Sequence, residues 1–494
     1  MAFSLITEPW IPLVDSDGCH QEASLLEALL EPNRWRGLDG ANPIETLSLF
    51  RLLLAICHRA IGPSTDPRAA LLREWPRSAI EAYLDQWANH FDLLHRETPF
   101  QQVKALSTAK LSPSPWTRLA QDRASGNARM IWDHSIDDQP GLQPLAEIAR
   151  LLVAHLQFTP GSLVKALRTS AVRGPACSLL LMMPLGESLQ ETLTLNLISQ
   201  TKQRYQLDLP SWERTPLDLK DLQTPQNVVL EGPAHRYTFL SRAILLLPDK
   251  DGVSTLLYAE GLKTSEEGTP DADPMGATIV GKKGEMALLL SEQRSFWRDF
   301  QALNGSKGST AAAVVNHALS VRDAQDDNRC FDLLAGGMLC DQAKILLWRL
   351  EQRQLSPLVL RKQDLITASD RALELAEETG SEFNKSVYGL CKVWLQRGGE
   401  KDPDPKDVRN LQNSIQASAL FWGALEPAFW VFIQRLGDRS DCVACLSEWR
   451  EQLRRALDVA WDHAKRSLGV DSRALAAAGA LEFRQRKILG SLKT

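Results

Sequence analysis

The chain has 494 residues, 44% hydrophobic and 24% charged, enough apolar material for a substantial core and, at this length, for two or more domains. A formal net charge of −5 excludes a protein held to nucleic acid by bulk charge, so any such contact must come from local patches or from a larger assembly. Eight scattered cysteines, no basic-then-apolar leader and no run of ~18 apolar residues argue against a disulfide-framed secreted chain and a membrane-spanning one, and point to the cytoplasm.

Residues 3 to 14 mix β-branched and aromatic residues with two prolines, the pattern of an edge strand. Asn42-Pro43 then starts a helix on which Leu47, Phe50, Leu53, Leu54 and Cys57 recur at helical spacing. Ser78 and Glu81 stand at capping-box spacing before a second amphipathic helix through Trp87. From Gln121 to Gly141 the chain is polar around a single large ring, Trp132, as in an exposed loop of functional length. A helix follows from 145, then Thr159-Pro160-Gly161-Ser162 with Lys165, Arg168, Arg173 and Gly174. Amides and guanidiniums so arranged can hold phosphate, or can form an ordinary solvated basic face.

The apolar run 177 to 185 is strand-like, and both it and the stretch 191 to 198 read as core. Two hairpins follow, 243 to 258 about Asp249-Lys250-Asp251-Gly252 and 277 to 290 about Gly281-Lys282-Lys283-Gly284, with Lys263 between them. Residues 291 to 303 form a short amphipathic helix. After Asp364 the period stays helical in four segments, 366 to 398, 406 to 437, 440 to 468 and 471 to 491, separated by glycine and proline turn signals. Short connections between long helices predict an antiparallel four-helix bundle with Leu420, Phe421, Trp422, Phe429, Trp430, Trp449 and Trp461 inside. The fold class is α+β: a large mixed domain of helices and antiparallel hairpins over 1–364, then the bundle over 365–494.

Cys442 and Cys445 have ligand spacing but no second pair and no paired histidines, so they read as a structural pair rather than a zinc site. No P-loop, HExxH, GxSxG or two-metal carboxylate set occurs, and Asp323, Asp326 and Asp327 read as loop solvation. The expectation is a binding protein without catalytic residues, metal or cofactor.

Within 331 to 351, Gly336-Gly337 leads to a polar tip, Asp341-Gln342, followed by Ile345, Leu346, Leu347 and Trp348. On residues alone this is a turn between core elements, with strand or helix after it. The pattern GG-x-x-x-[ND]-Q-A with its aliphatic run, from Gly336 to Leu347, resembles a segment of the CasA family, the large subunit of the type I-E CRISPR surveillance complex, Cascade. So, in order, do WIPL at 10–13, PFQQ at 99–102, the 126–134 loop, ETLTLNLI at 191–198, DPM at 273–275, GKKGE at 281–285 and the terminal bundle.

The resemblance implies a β-hairpin with a glutamine wedge, Gln342, flanked by Asp341 and Ala343. It implies a glycine loop approaching the DNA minor groove, for which this chain offers Gly161 or Gly174. A lysine finger falls at Lys263, or at Lys282 or Lys283 in the next turn. A further loop docks on the 5′ handle of the guide RNA, and Trp132, Asp133 and His134 lie where its contact residues fall; unpaired RNA bases are read by stacking, which Trp132 can supply. The implied function is to check the protospacer-adjacent motif in double-stranded DNA, open the duplex beside it so that guide pairing starts, and recruit the helicase-nuclease. Implied partners are the other Cascade subunits, the guide RNA, target DNA and that effector. Sequence would be read by guide pairing and only the short motif by protein. The residues by themselves leave open a scaffold or helical adaptor that contacts no DNA.

Overall fold

A computed structural model describes residues 2–123, 139–250, 252–264, 272–282, 284–396, 402–438 and 441–492. The chain divides into two compact units, Met1–Glu292 with Gly308–Gln354, and Gln293–Lys307 with Leu355–Thr494. No helix among the described residues is long and apolar enough to cross a membrane.

The first unit is assembled on the helix Pro43–Ile61. Its start follows the local code: the Asn42 side chain accepts from the Glu45 amide and proline occupies the first turn, where no amide donor is needed. Leu47, Phe50, Leu53, Leu54 and Cys57 are all buried. Packed around it are the helices Leu145–Phe158, Arg77–Gln86 and Pro233–Tyr237.

Among the described residues are four small antiparallel sheets of three strands each. Ile11–Asp15 pairs with both His20–Ala23 and Trp35–Leu38, so the expected edge strand is the central one. Its proline is tolerated because Pro12 lies where the second ladder ends, its carbonyl accepting the Asp39 amide. The hairpins come out as expected, Arg242–Asp249 against Gly252–Glu260 and Thr278–Gly281 against Gly284–Ala287. Phe331–Asp341 lies between Lys344–Leu355 and Leu181–Leu185, and of the run 177–185 only the second half is regular strand. The Ser78–Glu81 capping box does not form. That helix begins at Arg77 after Pro76, once Trp75 is buried, which leaves Ser78 and Glu81 exposed within the first turns. Asp327 is ion-paired to Arg322 and Arg329 rather than merely solvated.

The second unit is a run of packed helices, Gln363–Leu395, Pro405–Ile415, Ala417–Gly437, Cys442–Ser467 and Ser472–Ser491, the first touching each of the others. The segment expected to run unbroken from 406 to 437 is interrupted at Gln416, whose φ of +56° ends one helix before the next begins. Phe421, Phe429, Trp449 and Trp461 are buried as expected, Trp422 and Trp430 half-buried, and Leu420 exposed. Residues 291–303 form no single helix. A 3-10 turn, Phe296–Asp299, and one turn, Gln301–Asn304, drive Phe296, Trp297 and Phe300 into this unit's core, with the Trp297 ring 5.0 Å from Phe429.

Four buried histidines of the first unit make its stability acid-sensitive. Burial holds His58 well below the usual imidazole range and brings His155 and His235 down to about 3 and His317 to about 4. Neither ring nitrogen of His58 has a partner among the described residues. Above the unfolded pKa of ~6.5 both states are neutral at these positions and nothing changes with pH. Below it the unfolded chain takes up protons that the fold excludes, so each histidine removes about 1.4 kcal/mol per pH unit until its folded pKa is reached. The urea midpoint is expected to be flat from pH 8 to 7 and to fall steeply between 6.5 and 4. Equal midpoints at pH 7 and 5 would show that these side chains protonate without unfolding.

Candidate nucleic-acid interface

The arms Phe331–Asp341 and Lys344–Leu355 are joined by the two-residue turn Gln342-Ala343, which makes them an antiparallel hairpin and settles the run after 344 as strand. Asp341, Gln342 and Ala343 are exposed. Gln342 has φ +52°, a left-handed conformation that disfavours a side-chain-bearing residue by about 1–3 kcal/mol and persists only where the surroundings impose it. Ile345, Leu346, Leu347 and Trp348 are only half-buried, so they are not the anchors they resemble. The anchor is the other arm, buried over 333–338 and paired with Leu181–Leu185 from Asp332 to Gly336. Crowding, not looseness, explains the glycine pair. A Cβ at Gly336 would lie 2.2 Å from the Arg349 carbonyl oxygen, and one at Gly337, φ +149°, would lie 2.6 Å from that of Leu179.

The stretch 174–185 stitches this hairpin to the rest of the candidate surface. The Ser178 amide donates to the Met338 carbonyl at 2.8 Å, and its hydroxyl accepts from the Cys340 amide at 3.2 Å. On its other side Leu180 donates to Leu288 (3.1 Å), Leu290 donates to Ser178 (3.0 Å) and Met182 donates to Met275 (2.7 Å). These bonds hold the hairpin Thr278–Gly281/Gly284–Ala287, whose turn exposes Lys282; Lys283 lies outside the described residues.

Upstream, residues 160–174 form a loop closed by reciprocal Ser162–Ala171 backbone bonds of 3.1 and 2.9 Å. Arg242, fully buried, donates to the Pro160 carbonyl at 2.6 Å and to that of Val172 at 2.5 Å, gripping both ends. The Glu260 carboxylate accepts the Ala166 and Leu167 amides at 3.2 and 2.8 Å. Burial raises its pKa, but the amides of Leu167, Arg168 and Ala166 outweigh that and hold it below the usual carboxylate range. An anion of the protein's own therefore occupies loop amides that would otherwise be open to phosphate. Arg168 is likewise engaged, donating to the Leu222 and Gly261 carbonyls at 2.6 and 2.7 Å. Leu163, Lys165 at φ +59°, Thr169, Ser170 and Arg173 face outward.

The two candidate glycines separate. Gly174 is buried, and a Cβ there would meet the Gln157 carbonyl oxygen at 2.4 Å, so the packing leaves no room for a side chain. Gly161 is half-exposed, and a Cβ there would make only ordinary contacts, 3.5 Å from the Arg173 nitrogen. Lys263 lies three residues past Glu260, half-exposed in the short pairing of Lys263–Thr264 with Asn227–Val228. Through Glu260 and Gly261 it stands beside the 160–174 loop. Glu260 and Arg242, which shape that loop, were invisible in the sequence, each being one charged residue at the end of a hydrophobic strand. Trp132, Asp133 and His134 lie outside the described residues.

Comparison with known proteins gives one result throughout. A family model described as CRISPR-associated protein Cse1 matches residues 4–460. The CRISPR-associated protein CasA/Cse1 of Thermus thermophilus is 34% identical over 510 residues, covering 99% of this chain and 98% of that protein. The crystal structure of Thermus thermophilus CasA superposes with a TM-score of 0.87 at 33% identity, covering 99% of this chain and 100% of that one. A chain from a CRISPR RNA-guided surveillance complex shares the fold at 20% identity, with a TM-score of 0.76 over the full length of both.

Proposed function

Because this chain belongs to the CRISPR-associated Cse1 family, also called CasA, the large subunits of type I-E Cascade, we propose that it tests the protospacer-adjacent motif in double-stranded DNA. It then opens the adjacent base pairs for guide pairing and recruits the helicase-nuclease. One observation carries the reading: the stretch 174–185 bonds directly to the Gln342 hairpin and to the residues flanking the Lys282 hairpin, and continues into the loop beside Lys263. Elements far apart in sequence are thereby held in one framework, as a surface that must grip and part a duplex requires.

In this reading Gly161 and Lys263, or Lys282 in its place, approach the minor groove, where base pairs show a degenerate pattern of acceptors, so several motif sequences are tolerated. Asp341, Gln342 and Ala343 meet the first base pair beyond the motif. Trp132, Asp133 and His134 contact the 5′ handle of the guide RNA. The chain binds and deforms nucleic acid and performs no bond chemistry itself; cleavage belongs to the recruited partner.

The reading is tested by gel shift of the assembled complex on motif-bearing duplex, with and without this chain. Loss of binding on omission is expected. Unchanged binding would make the chain a scaffold. Lys263→Ala should weaken binding and reduce the slope of log affinity against log salt by about 0.9, the value for one phosphate-neutralising cation. An unchanged slope, with a reduced one in Lys282→Ala, would move the finger to the hairpin turn.

A further inference from the structure

Cys340 lies two residues before Gln342, half-exposed, on the hairpin arm that faces the stretch 174–185; Cys177, on that stretch, is buried. The ladder between them pairs Gly336 with Leu181. Beyond that pair both chains depart from regular strand at the same level, Ser178 at φ +67° and Gly337 at φ +149°, yet hydrogen bonding continues. Ser178 donates to Met338, and Cys340 donates to the Ser178 hydroxyl, which is 3.9 Å from Cys177 Sγ. Cys177 Sγ and the Cys340 amide therefore meet at one hydroxyl, that of Ser178. The register of Gly336 with Leu181, carried on to these residues, would set 340 against 177, and directly opposed residues of antiparallel neighbours have Cα atoms about 4.5–5.5 Å apart, inside the roughly 4.4–6.8 Å that a disulfide accepts.

We propose that Cys177 and Cys340 form a reversible redox site, in which a low-molecular-weight disulfide such as oxidised glutathione converts the dithiol into a cross-strand disulfide fastening the Gln342 hairpin to the stretch 174–185. One cysteine thiolate attacks a sulfur of the small disulfide, whose S–S bond breaks to release one thiolate that takes up a proton. The second cysteine, deprotonated, attacks the mixed disulfide; the Cys177–Cys340 bond forms and the second small thiol leaves. The protein loses two electrons and two protons, and the small disulfide gains both. The pair is prepared for this. The Cys340 side chain holds the Cys177 thiol below the ordinary range against its burial, while Cys177 and burial push the Cys340 thiol up, so Cys177 is the readier thiolate of the two and thiolate is the reacting form. Half-exposed Cys340 supplies access from solvent. The resulting bond would restrain the hairpin two residues from its tip while leaving Asp341, Gln342 and Ala343 exposed.

The test treats the full chain with oxidised glutathione or diamide, labels remaining thiols with maleimide, and maps non-reduced peptides by mass spectrometry. Expected are an intact mass lower by two hydrogens, two fewer labelled thiols and a linked peptide joining 177 to 340, all reversed by dithiothreitol. Cys340→Ser should abolish the link. Loss of the exposed thiols in Cys19→Ser with Cys330→Ser should leave it intact, so a folding defect at buried Cys177 need not enter. Full labelling after oxidation, a glutathione adduct persisting on Cys340 with Cys177 still free, or a link between other cysteines would overturn the proposal.

Discussion

Gln342→Ala should leave encounter with motif-bearing duplex near wild type while slowing strand opening on intact duplex by on the order of 10–100-fold. The magnitude follows from the step it serves: parting the first stacked pair costs a few kcal/mol, guide pairing offsets that only after bases have opened, and each ~1.4 kcal/mol of lost assistance is tenfold in rate. Structure supports a tip able to bear that load. Gln342 is exposed at φ +52° on a hairpin whose inner arm is buried and paired to Leu181–Leu185. Gln342→Gly separates geometry from chemistry, because glycine adopts this φ without strain; it should keep the melting temperature and still lose the opening rate. Permanganate or 2-aminopurine probing reads the opening. A target already mismatched beside the motif should restore guide pairing in both variants. Wild-type opening by Gln342→Ala would return the tip to an ordinary surface turn, and failure of the mismatched target to rescue would place Gln342 in motif binding.

Asp273→Ala is expected to lower stability by roughly 3–5 kcal/mol, the range for removing one partner of a buried ion pair, and Tm by on the order of 10 °C. The Arg51 guanidinium donates to both Asp273 carboxylate oxygens at 3.0 and 2.9 Å, and neither side chain is more than 1% exposed. Gln157 accepts from Arg51 Nε at 3.0 Å and the Tyr237 ring lies 4.2 Å from the guanidinium carbon. Without the carboxylate, a charge would remain in the core with nothing to neutralise it. Arg51→Met combined with Asp273→Leu should recover most of the loss, since apolar replacement of both partners removes the uncompensated charge. If the double variant is no better than Asp273→Ala, the loss comes from packing or from the bond of the Asp273 carboxylate to the Met275 amide at 3.0 Å.

Acid separates this pair from the histidines. Burial raises the Asp273 carboxyl, but Arg51, Arg236 and the Met275 amide outweigh it and hold it below the usual range. A depressed carboxylate contributes its stability above the unfolded value of ~3.9 and loses it only as pH falls through the lower folded value. The decline expected between pH 6.5 and 4 therefore belongs to His58, His155, His235 and His317, with His90, which partial burial also lowers, adding to it.

Where the signal is local, the amino-acid sequence was sufficient. Asn42-Pro43 starts its helix, the turns near Gly252 and Gly284 close their hairpins, and glycines mark the breaks after Gly437 and at Gly469, because caps, turns and periodicity involve groups within a few residues; the break at Gln416 carried no such signal. The order of short motifs was enough for the family. The same local code failed at Ser78 and Glu81, where burial of Trp75 moved the helix start, and at Ile11–Asp15, whose second ladder partner lies more than 20 residues away.

Tertiary structure alone decided which candidate groups remain available. Gly174 and Arg168 look like phosphate-binding residues until Gln157, Leu222 and Gly261 close on them, leaving Gly161, Lys165, Arg173 and Lys263 outward. Likewise Gly336-Gly337 reads as flexible until Arg349 and Leu179 press against it. The physical reason is common to all of these: a buried polar group must find a partner, and here that partner lies tens to hundreds of residues away, as with Glu260 and Ala166 or Arg51 and Asp273. Composition and spacing list the groups that can bind; only the packed chain decides which of them are already taken.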